Sequence, residues 1–172
     1  DLRIWSAGCS SGEEAYTIAM VLADYFHYSQ EQWNTKILAT DISSAVLVKA
    51  ADGLYPVESI ANLPARWKKI YFQKAGNDRV QICDKIRDEV IFRHLNLHDP
   101  IFRFKRKFHV IFCRNVMIYF STQMKRELIH KFYDWTEPGG YLFIGHSESL
   151  GRDAAGYKYI KPSIYRKELH CR

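Results

Sequence analysis

The apolar run Phe-His-Val-Ile-Phe-Cys at residues 108–113 constrains the fold of this chain more than any other stretch. It lacks the alternation of polar and apolar residues that marks a strand with one face in water. A nearly continuous apolar run is typical of a strand covered on both faces, as in a parallel sheet. We therefore expect helices on both sides of a sheet.

Strand and helix patterns alternate along the chain, which favours an α/β fold with a mostly parallel, doubly wound sheet. Further strands are predicted at 2–7, 35–42 and 141–146, with a closing hairpin at 157–167. Helices are predicted within 8–26, at 43–53, around 57–71 and at 121–135, where "EPGG" ends the helix. Residues 72–95 are richer in polar residues and break the alternation. We predict a small β insertion there, within one domain that spans residues 1–172.

The formal charge of +6 favours an acidic partner without identifying it. The basic stretch "RFKRKF" at 103–108 combines cationic and aromatic residues, as nucleic-acid surfaces do. We interpret it instead as an exposed loop and expect no nucleic-acid partner. No apolar run approaches the roughly 18 residues of a membrane span, so we expect no membrane insertion.

Three features that could carry other chemistry are interpreted as structural. The cysteines at 9, 83, 113 and 171 show no zinc-ligand spacing, so we expect reduced thiols and a cytoplasmic protein. His94 and His98 stand four apart in a strand and the loop after it, and we predict no metal site. "GHSES" at 145–149 resembles a nucleophile elbow, but it ends in Ser and no strong acid-then-His sequence follows, which argues against serine hydrolysis.

Polar residues follow each of the predicted strands, in "AGCSSGEE", "TDIS", "LNLHD" and "CRNV". The carboxyl ends of parallel strands lie at one edge of a sheet, and ligands bind beyond that edge. The sequence therefore predicts a ligand site formed by these four stretches.

The first stretch suits a ligand that carries no phosphate and some positive charge. Gly8 and Gly12 permit a tight turn and a close approach of the backbone to the ligand. The stretch lacks the patterns of a P-loop and of a dinucleotide loop. Glu13 and Glu14 at the helix start would also repel a pyrophosphate. Both serines preceding them form capping boxes with these glutamates, and we predict that Glu13 faces the ligand while Glu14 caps the helix.

Asp41 and Asn96 suggest an adenosine. A carboxylate after the second strand can accept both ribose hydroxyls. Asp41 could instead cap the next helix, although Ser43 or Ser44 could do so. The side-chain amide of Asn96 can meet an adenine edge. S-adenosylmethionine is an adenosine without phosphates, and it fits these residues.

The combination of "WSAGCSSGEEAYTIAM", "ATDIS", "VLVKAADGLY", "FCRNVMIYF" and "GGYLFIGHSESL" resembles the catalytic domain of the CheR-type chemotaxis receptor glutamate methyltransferases, from about residue 2 to 167. The resemblance implies a methyltransferase variant of the doubly wound sheet, with an antiparallel last strand. It implies methyl transfer from S-adenosylmethionine to receptor glutamates, giving methyl esters and S-adenosylhomocysteine. The implied partners are the cytoplasmic helices of methyl-accepting receptors, and we expect a monomer.

The resemblance also implies site residues. The family's cofactor contacts correspond to Glu13, Asp41, Asn96 with Leu97, and Arg114 with Asn115. We add Gly8, because its turn brings the backbone close to the cofactor. Arg114 and Tyr119 are the expected catalytic residues. Tyr119 shares a helical face with Asn115 if a helix begins there, and its hydroxyl could orient the substrate carboxylate. The alternative is a Tyr119 ring packed under the edge of the sheet beside a core Phe120.

Three departures from the family qualify these expectations. The chain begins at Asp1 and lacks the family's helical N-terminal domain, so we expect a piece of a longer protein. The turn "KAGND" is too short for the loop with which tethered members of the family add a receptor peptide as an extra strand. His109 stands where an aspartate is common. The alternative functions are an S-adenosylmethionine-binding signalling adaptor without activity, and an RNA or small-molecule methyltransferase.

Overall fold

The computed structural model describes residues 1–27, 33–150 and 155–169. Their main element is a seven-stranded, mostly parallel sheet. The strands in chain order are β1 Ile4–Ala7, β2 Ile37–Asp41, β3 Leu54–Pro56, β4 Phe72–Lys74, β5 Arg79–Ile82, β6 Val90–His94, β7 Phe108–Cys113, β8 Thr136–Ile144, β9 Tyr157–Lys161 and β10 Ile164–Lys167. The helices are α1 Glu13–Phe26, α2 Ser44–Asp52, α3 Ala65–Tyr71, α4 Asp84–Arg87 and α5 Thr122–Trp135, with 3₁₀ helices at Val57–Ile60 and Met117–Tyr119.

The strand order β6-β2-β1-β7-β8-β10-β9 confirms the doubly wound sheet. The first five strands in this order are parallel, and β10 pairs antiparallel with both β8 and β9. The chain runs outward from β1 to β2 and β6, and then returns to place β7 on the other side of β1. The order therefore reverses between β1 and β7, which is where sheets of this kind bind ligands.

The predicted β insertion at 72–95 differs from the structure at both ends. A separate three-stranded sheet has the order β3-β5-β4, so it begins at Leu54 and ends at Ile82. Strand β6 belongs to the main sheet and pairs parallel with β2, from Ile37↔Val90 to Asp41↔His94. Strand β6 itself begins with three apolar residues, but the residues before it, 73–89, are mostly polar. That composition made the whole segment resemble an insertion.

Strand β8 begins earlier than predicted, because "EPGG" lies inside it. Helix α5 ends at Trp135, and the strand follows at once at Thr136. The pairing of β8 with β7 shifts register near Phe108, and Gly139 has a φ of 81°. A glycine relieves the crowding of such an irregularity, since it has no Cβ.

The stretch "RFKRKF" is a loop that leads into β7 at Phe108, and its aromatic side chains point inward. Trp5 is fully buried, and the rings of Phe104 and Phe108 lie 4.8 and 5.4 Å from its ring. The four cationic residues of this stretch are exposed. The alternation of basic and aromatic residues therefore reflects packing on Trp5, with the charges left in water.

Two further findings concern the cysteines and the helices. Cys9, Cys83 and Cys113 are free thiols, and Cys171 lies outside the described residues. Within the described ranges, no helix has the length and apolar character needed to cross a membrane.

His109, for which the sequence suggested no role, accepts a hydrogen bond from Arg3, the residue before β1. Its Nδ1 lies 3.0 Å from the backbone N of Arg3, and its Nε2 lies 3.3 Å from the Arg3 guanidinium. Arg3 also forms an ion pair with Glu137 at 2.8 Å. Burial and the charge of Arg3 both lower the pKa of His109 below its ordinary value.

The position of His109 predicts a pH dependence of stability. A histidine with a lowered pKa in the folded chain stabilises the fold above the unfolded-state pKa of about 6.5, and this contribution is lost as the pH falls below it. In His109→Asp the carboxylate can still accept from Arg3 and does not titrate in this range. We expect the melting temperature of wild type to fall more between about pH 7.5 and pH 5.5 than that of His109→Asp. Parallel curves from circular dichroism would contradict this role.

A candidate cofactor site at the carboxyl edge of the sheet

A cavity of about 690 Å³ lies beyond the carboxyl ends of β1, β2, β6 and β7. This volume is in the usual range for small-molecule sites. All eight residues predicted from the sequence line it, namely Gly8, Glu13, Asp41, Asn96, Leu97, Arg114, Asn115 and Tyr119. The fold thus brings them together, although they come from four separate stretches. Their individual roles remain predictions.

The loop after β1 is joined to the end of β2 through its backbone. The amides of Gly8 and Cys9 donate to the Thr40 carbonyl at 2.8 and 2.9 Å. Gly8 has a φ of 78°, and a Cβ there would lie 2.4 Å from Cγ2 of Val116. A side chain at Gly8 would push apart the loops that follow β1 and β7. Burial raises the pKa of Cys9 to about 12, so this thiol in the cavity wall stays protonated and unreactive.

The predicted capping role of Glu14 was wrong. The residue before α1 is Gly12, with a φ of 93°, and no side chain caps the helix. The hydroxyl of Ser11 instead donates to both carboxylate oxygens of Glu13, at 2.8 and 2.9 Å. The left-handed turn at Gly12 replaces the extended N-cap geometry that a capping box requires.

Glu14 lies in the cavity wall, where its carboxylate connects three elements. Its Oε1 accepts from Ser6 Oγ of β1 at 2.8 Å, and its Oε2 lies 3.4 Å from Nη1 of Arg114. Burial raises the pKa of Glu14, while the contacts with Ser6 and Arg114 oppose this shift. Sequence reasoning missed this role. The available signal was Ser6, a polar residue in an otherwise apolar strand and fully buried in the structure.

Asp41 shapes two loops and still faces the cavity. Its Oδ2 accepts from the amide of Ser10 and its Oδ1 from the amide of Ser43, both at 2.9 Å. Ser43 is the N-cap of α2 and accepts from Val46, so the alternative reading of Asp41 as that cap was wrong. Each carboxylate oxygen can accept more than one hydrogen bond. Asp41 therefore keeps the capacity to accept ribose hydroxyls.

The loop after β6 is held by Lys131 of α5. Asn96 Oδ1 accepts from the amide of His98 at 2.9 Å and so stabilises the turn. The Lys131 ammonium donates to the carbonyls of Leu97 and Asp99 at 2.6 and 2.8 Å. Burial lowers the pKa of Lys131. One cation thus fixes the carbonyls on either side of His98.

We expect Lys131→Met to weaken binding of S-adenosylhomocysteine about threefold, because the loop that carries Asn96 loses a charged donor shared by two carbonyls. Calorimetric titration measures this change. Lys125→Met on the same helix is the matched control: neither lysine lines the cavity, and of these two described residues only Lys131 donates to the loop after β6. Equal dissociation constants for Lys131→Met and wild type would show that the loop does not depend on this anchor.

The segment after β7 is not helical at its start, contrary to prediction. Asn115 has a left-handed backbone with a φ of 59°, and only Met117–Tyr119 form a 3₁₀ turn. Asn115 and Tyr119 nevertheless line the same cavity. Tyr119 is 81% exposed, so the alternative of a ring packed under the sheet was wrong. Phe120 is half-buried rather than in the core, and its ring lies 4.5 Å from that of His98.

The apolar part of the cavity wall was missed by sequence reasoning. It consists of Ile42, Leu95, Val116 and Phe120. Ile42 is 59% exposed directly after Asp41, and an exposed isoleucine beside a predicted ribose acceptor was the available signal. Such side chains can contact the faces of an adenine ring. Among the residues that the structure describes, no group of three or more His, Cys, Asp or Glu is placed to hold a metal ion.

Comparisons with known proteins agree with this geometry. Residues 1–165 match the family described as CheR methyltransferase, SAM binding domain. The chain is 46% identical over 167 residues to a chemotaxis protein methyltransferase of Borreliella burgdorferi, covering 97% of this chain and 59% of that protein. It is 38% identical over 172 residues to chemotaxis protein methyltransferase 1 of Pseudomonas aeruginosa, covering 96% and 62%. The chain thus spans between half and two thirds of the length of these relatives.

Solved structures show the same fold at low sequence identity. The glycopeptide N-methyltransferase MtfA in complex with S-adenosylmethionine is 14% identical, with a TM-score of 0.52 over 84% of this chain and 46% of that one. The CcbJ methyltransferase from Streptomyces caelestis is 12% identical, with a TM-score of 0.51 over 83% and 41%. At this identity the likeness concerns the fold alone.

Proposed function

The chain belongs to the CheR methyltransferase family, and on that premise we propose that it transfers a methyl group from S-adenosylmethionine to glutamate side chains of chemotaxis receptors. The products are glutamyl methyl esters and S-adenosylhomocysteine. The observation that carries this proposal is one cavity lined by all eight residues predicted from their chemistry or from the family resemblance. The names of the relatives support a chemotaxis substrate.

Each part of the cavity suits one part of the cofactor. Asp41 is the ribose acceptor, and Asn96 with Leu97 forms the adenine side. Glu13 and Glu14 supply negative charge near the loop after β1, which suits a cationic methionyl group. When bound, S-adenosylmethionine supplies a methyl group on a positively charged sulfur. The residues of this chain hold the reactants and exclude water.

Methyl transfer to a glutamate requires no general base, because the carboxylate is already ionised at neutral pH. A carboxylate oxygen forms the new bond to the methyl carbon, and the electron pair of the broken C–S bond goes to sulfur. Both charges are neutralised, so a water-poor site favours the transfer. The task left to the protein is to hold the oxygen in line with the methyl group.

Arg114 and Tyr119 are the groups we assign to the substrate carboxylate. Arg114 is 40% exposed and its contact with Glu14 is long, at 3.4 Å, so a second carboxylate can compete for its guanidinium. Tyr119 is exposed at the mouth of the cavity and can donate its hydroxyl proton to the substrate. Together they would orient one carboxylate between two donors.

Receptor helices are the partners we assign, bound directly through lysine and arginine side chains. The turn between β4 and β5 is short, and its Ala75 amide bonds the Arg79 carbonyl at 2.9 Å. A Cβ on Gly76 at its tip would meet no atom within 4 Å other than those of its chain neighbours. A turn of this size offers little surface for a tethering peptide. We place the reaction in the cytoplasm and expect the chain to act as a monomer.

The test is transfer of labelled methyl groups to receptor-containing membranes, followed by base treatment. Release of the label as methanol identifies a carboxyl methyl ester. Receptors with and without their C-terminal pentapeptide are compared at low and moderate salt, because direct binding by surface cations weakens with screening. A large loss without the pentapeptide and little salt dependence would contradict direct recognition.

The same assay separates the alternative functions. A chain that binds S-adenosylhomocysteine but transfers no methyl group to any receptor would be an adaptor. Base-stable label in RNA or in a small molecule would point to a different methyltransferase. The inward packing of the aromatic residues in 103–108 disfavours an RNA surface there.

A further inference from the structure

The "GHSES" stretch at 145–149 has no place in the proposed reaction, yet it lies against the cavity. Strand β8 ends at Ile144, next to the end of β7. The chain then turns back on itself, since the amide of Glu148 donates to the carbonyl of Gly145 at 3.0 Å. This turn directs the Glu148 side chain toward Asn115, which follows β7.

One oxygen of Glu148 joins the ends of two parallel strands. Its Oε2 accepts from the amide of Gly145 at 2.6 Å and from the amide of Asn115 at 3.3 Å. Gly145 follows β8, and Asn115 follows β7. Neither amide is part of the strand pairing, which ends at Cys113↔Ile144. The carboxylate therefore continues the connection between the strands beyond the sheet.

The other oxygen of the Glu148 carboxylate is placed where it lowers the stability of the fold. Oε1 of Glu148 is buried and has no hydrogen-bond partner among residues 1–27, 33–150 and 155–169. A buried polar atom without a partner destabilises a fold. The burial of this oxygen is the consequence of placing Oε2 between the two amides.

Asn115 is the residue that this contact holds. Its left-handed backbone, with a φ of 59°, is an uncommon conformation that persists only where neighbouring groups fix it. A Cβ on Gly145 would lie 2.7 Å from both Asn115 Oδ1 and Glu148 Oε2, so the three residues are in close contact. The direction of the chain at Asn115 determines where Arg114 and Tyr119 meet the cavity.

We propose that Glu148 is a positioning residue for the cofactor site. Its carboxylate fixes the left-handed backbone of Asn115 and so sets Arg114 and Asn115 against the cofactor. This rests on the proposed function, because the roles of Arg114 and Asn115 belong to it. Glu148 itself does not line the cavity, so we expect its effect to act through Asn115.

The test is the dissociation constant of S-adenosylhomocysteine, measured by calorimetry on the whole chain. Glu148→Ala should raise it about tenfold, because the amide of Asn115 loses its acceptor. Glu148→Gln should stay within about threefold of wild type, since an amide oxygen can accept from the same two amides. Should Glu148→Ala not fold, Glu148→Asp takes its place with the same expectation, because its carboxylate is one methylene shorter.

Thr136→Val is the structural control, at the opposite end of β8. Thr136 is fully buried, and its hydroxyl bonds Phe132 O and the Tyr157 hydroxyl at 2.7 and 2.6 Å. This variant should lower the melting temperature and leave the dissociation constant unchanged. A folded Glu148→Ala or Glu148→Asp with wild-type affinity overturns the proposal, as does a Glu148→Gln that loses as much as Glu148→Ala.

The outcome for Glu148 is separable from the proposed function. A wild-type chain that binds S-adenosylhomocysteine but methylates no receptor carboxylate would overturn the function and leave the role of Glu148 intact. Glu148 variants that methylate receptors and bind S-adenosylhomocysteine with wild-type affinity would overturn the role of Glu148 and leave the proposed function intact.

Discussion

Asp41→Ala should weaken binding of S-adenosylhomocysteine by about 1–3 kcal/mol, which corresponds to about fivefold to more than a hundredfold in the dissociation constant. Two losses add in this variant. The ribose hydroxyls lose their acceptor, and the amides of Ser10 and Ser43 lose theirs at the same time. Calorimetric titration of both proteins measures the effect directly.

Ser43→Ala is the control for a loss of stability in this loop that leaves Asp41 in place. It removes the N-cap of α2 but keeps the Asp41 carboxylate and the backbone amide that donates to it. We expect this control to lower stability by about 0.5–2 kcal/mol, as losses of helix caps do, with little change in affinity. Equal affinity for Asp41→Ala and wild type would remove Asp41 from the site.

Tyr119→Phe should lower kcat for receptor methylation about tenfold to a hundredfold, with the affinity for S-adenosylhomocysteine nearly unchanged. The substitution removes only the hydroxyl group. We assign this group to orienting the substrate carboxylate rather than to holding the cofactor. A misplaced oxygen attacks the methyl carbon less often, so the loss belongs in kcat. Initial rates at saturating cofactor, alongside calorimetry, give both quantities.

Tyr25→Phe on α1 is the matched control, because Tyr25 is 77% exposed and does not line the cavity. It should leave both quantities at their wild-type values. A Tyr119→Phe variant with unchanged kcat and a weaker cofactor affinity would move Tyr119 from the substrate to the cofactor.

The main sheet and the position of the site could be predicted from the sequence, because both follow from local patterns. Apolar runs such as 108–113 predict strands covered on two faces. Parallel strands place their carboxyl ends together, so residues at the end of a strand or directly after it, such as Asp41 and Arg114, lie at one edge. The eight predicted residues line one cavity for this reason.

The details that could not be predicted depend on contacts between residues far apart in the sequence. Glu14 reaches Arg114, 100 positions away, and this contact competes with the local capping pattern. Asn115 is left-handed beside the Glu148 carboxylate, 33 positions later. Strand β6 pairs with β2, more than 50 positions earlier, but it follows the mostly polar residues 73–89 and so looked like part of an insertion.

The cavity wall has a thermodynamic consequence, because it is assembled from the ends of β1, β2, β6 and β7. These strands span residues 4 to 113, so no short segment of the unfolded chain can present the same groups. A ligand that binds only the folded chain stabilises it by mass action, by about 2.7 kcal/mol at a concentration one hundred times its dissociation constant. S-adenosylhomocysteine should therefore shift the unfolding of the whole domain as a single transition, and titrating the melting temperature would measure affinity without any receptor.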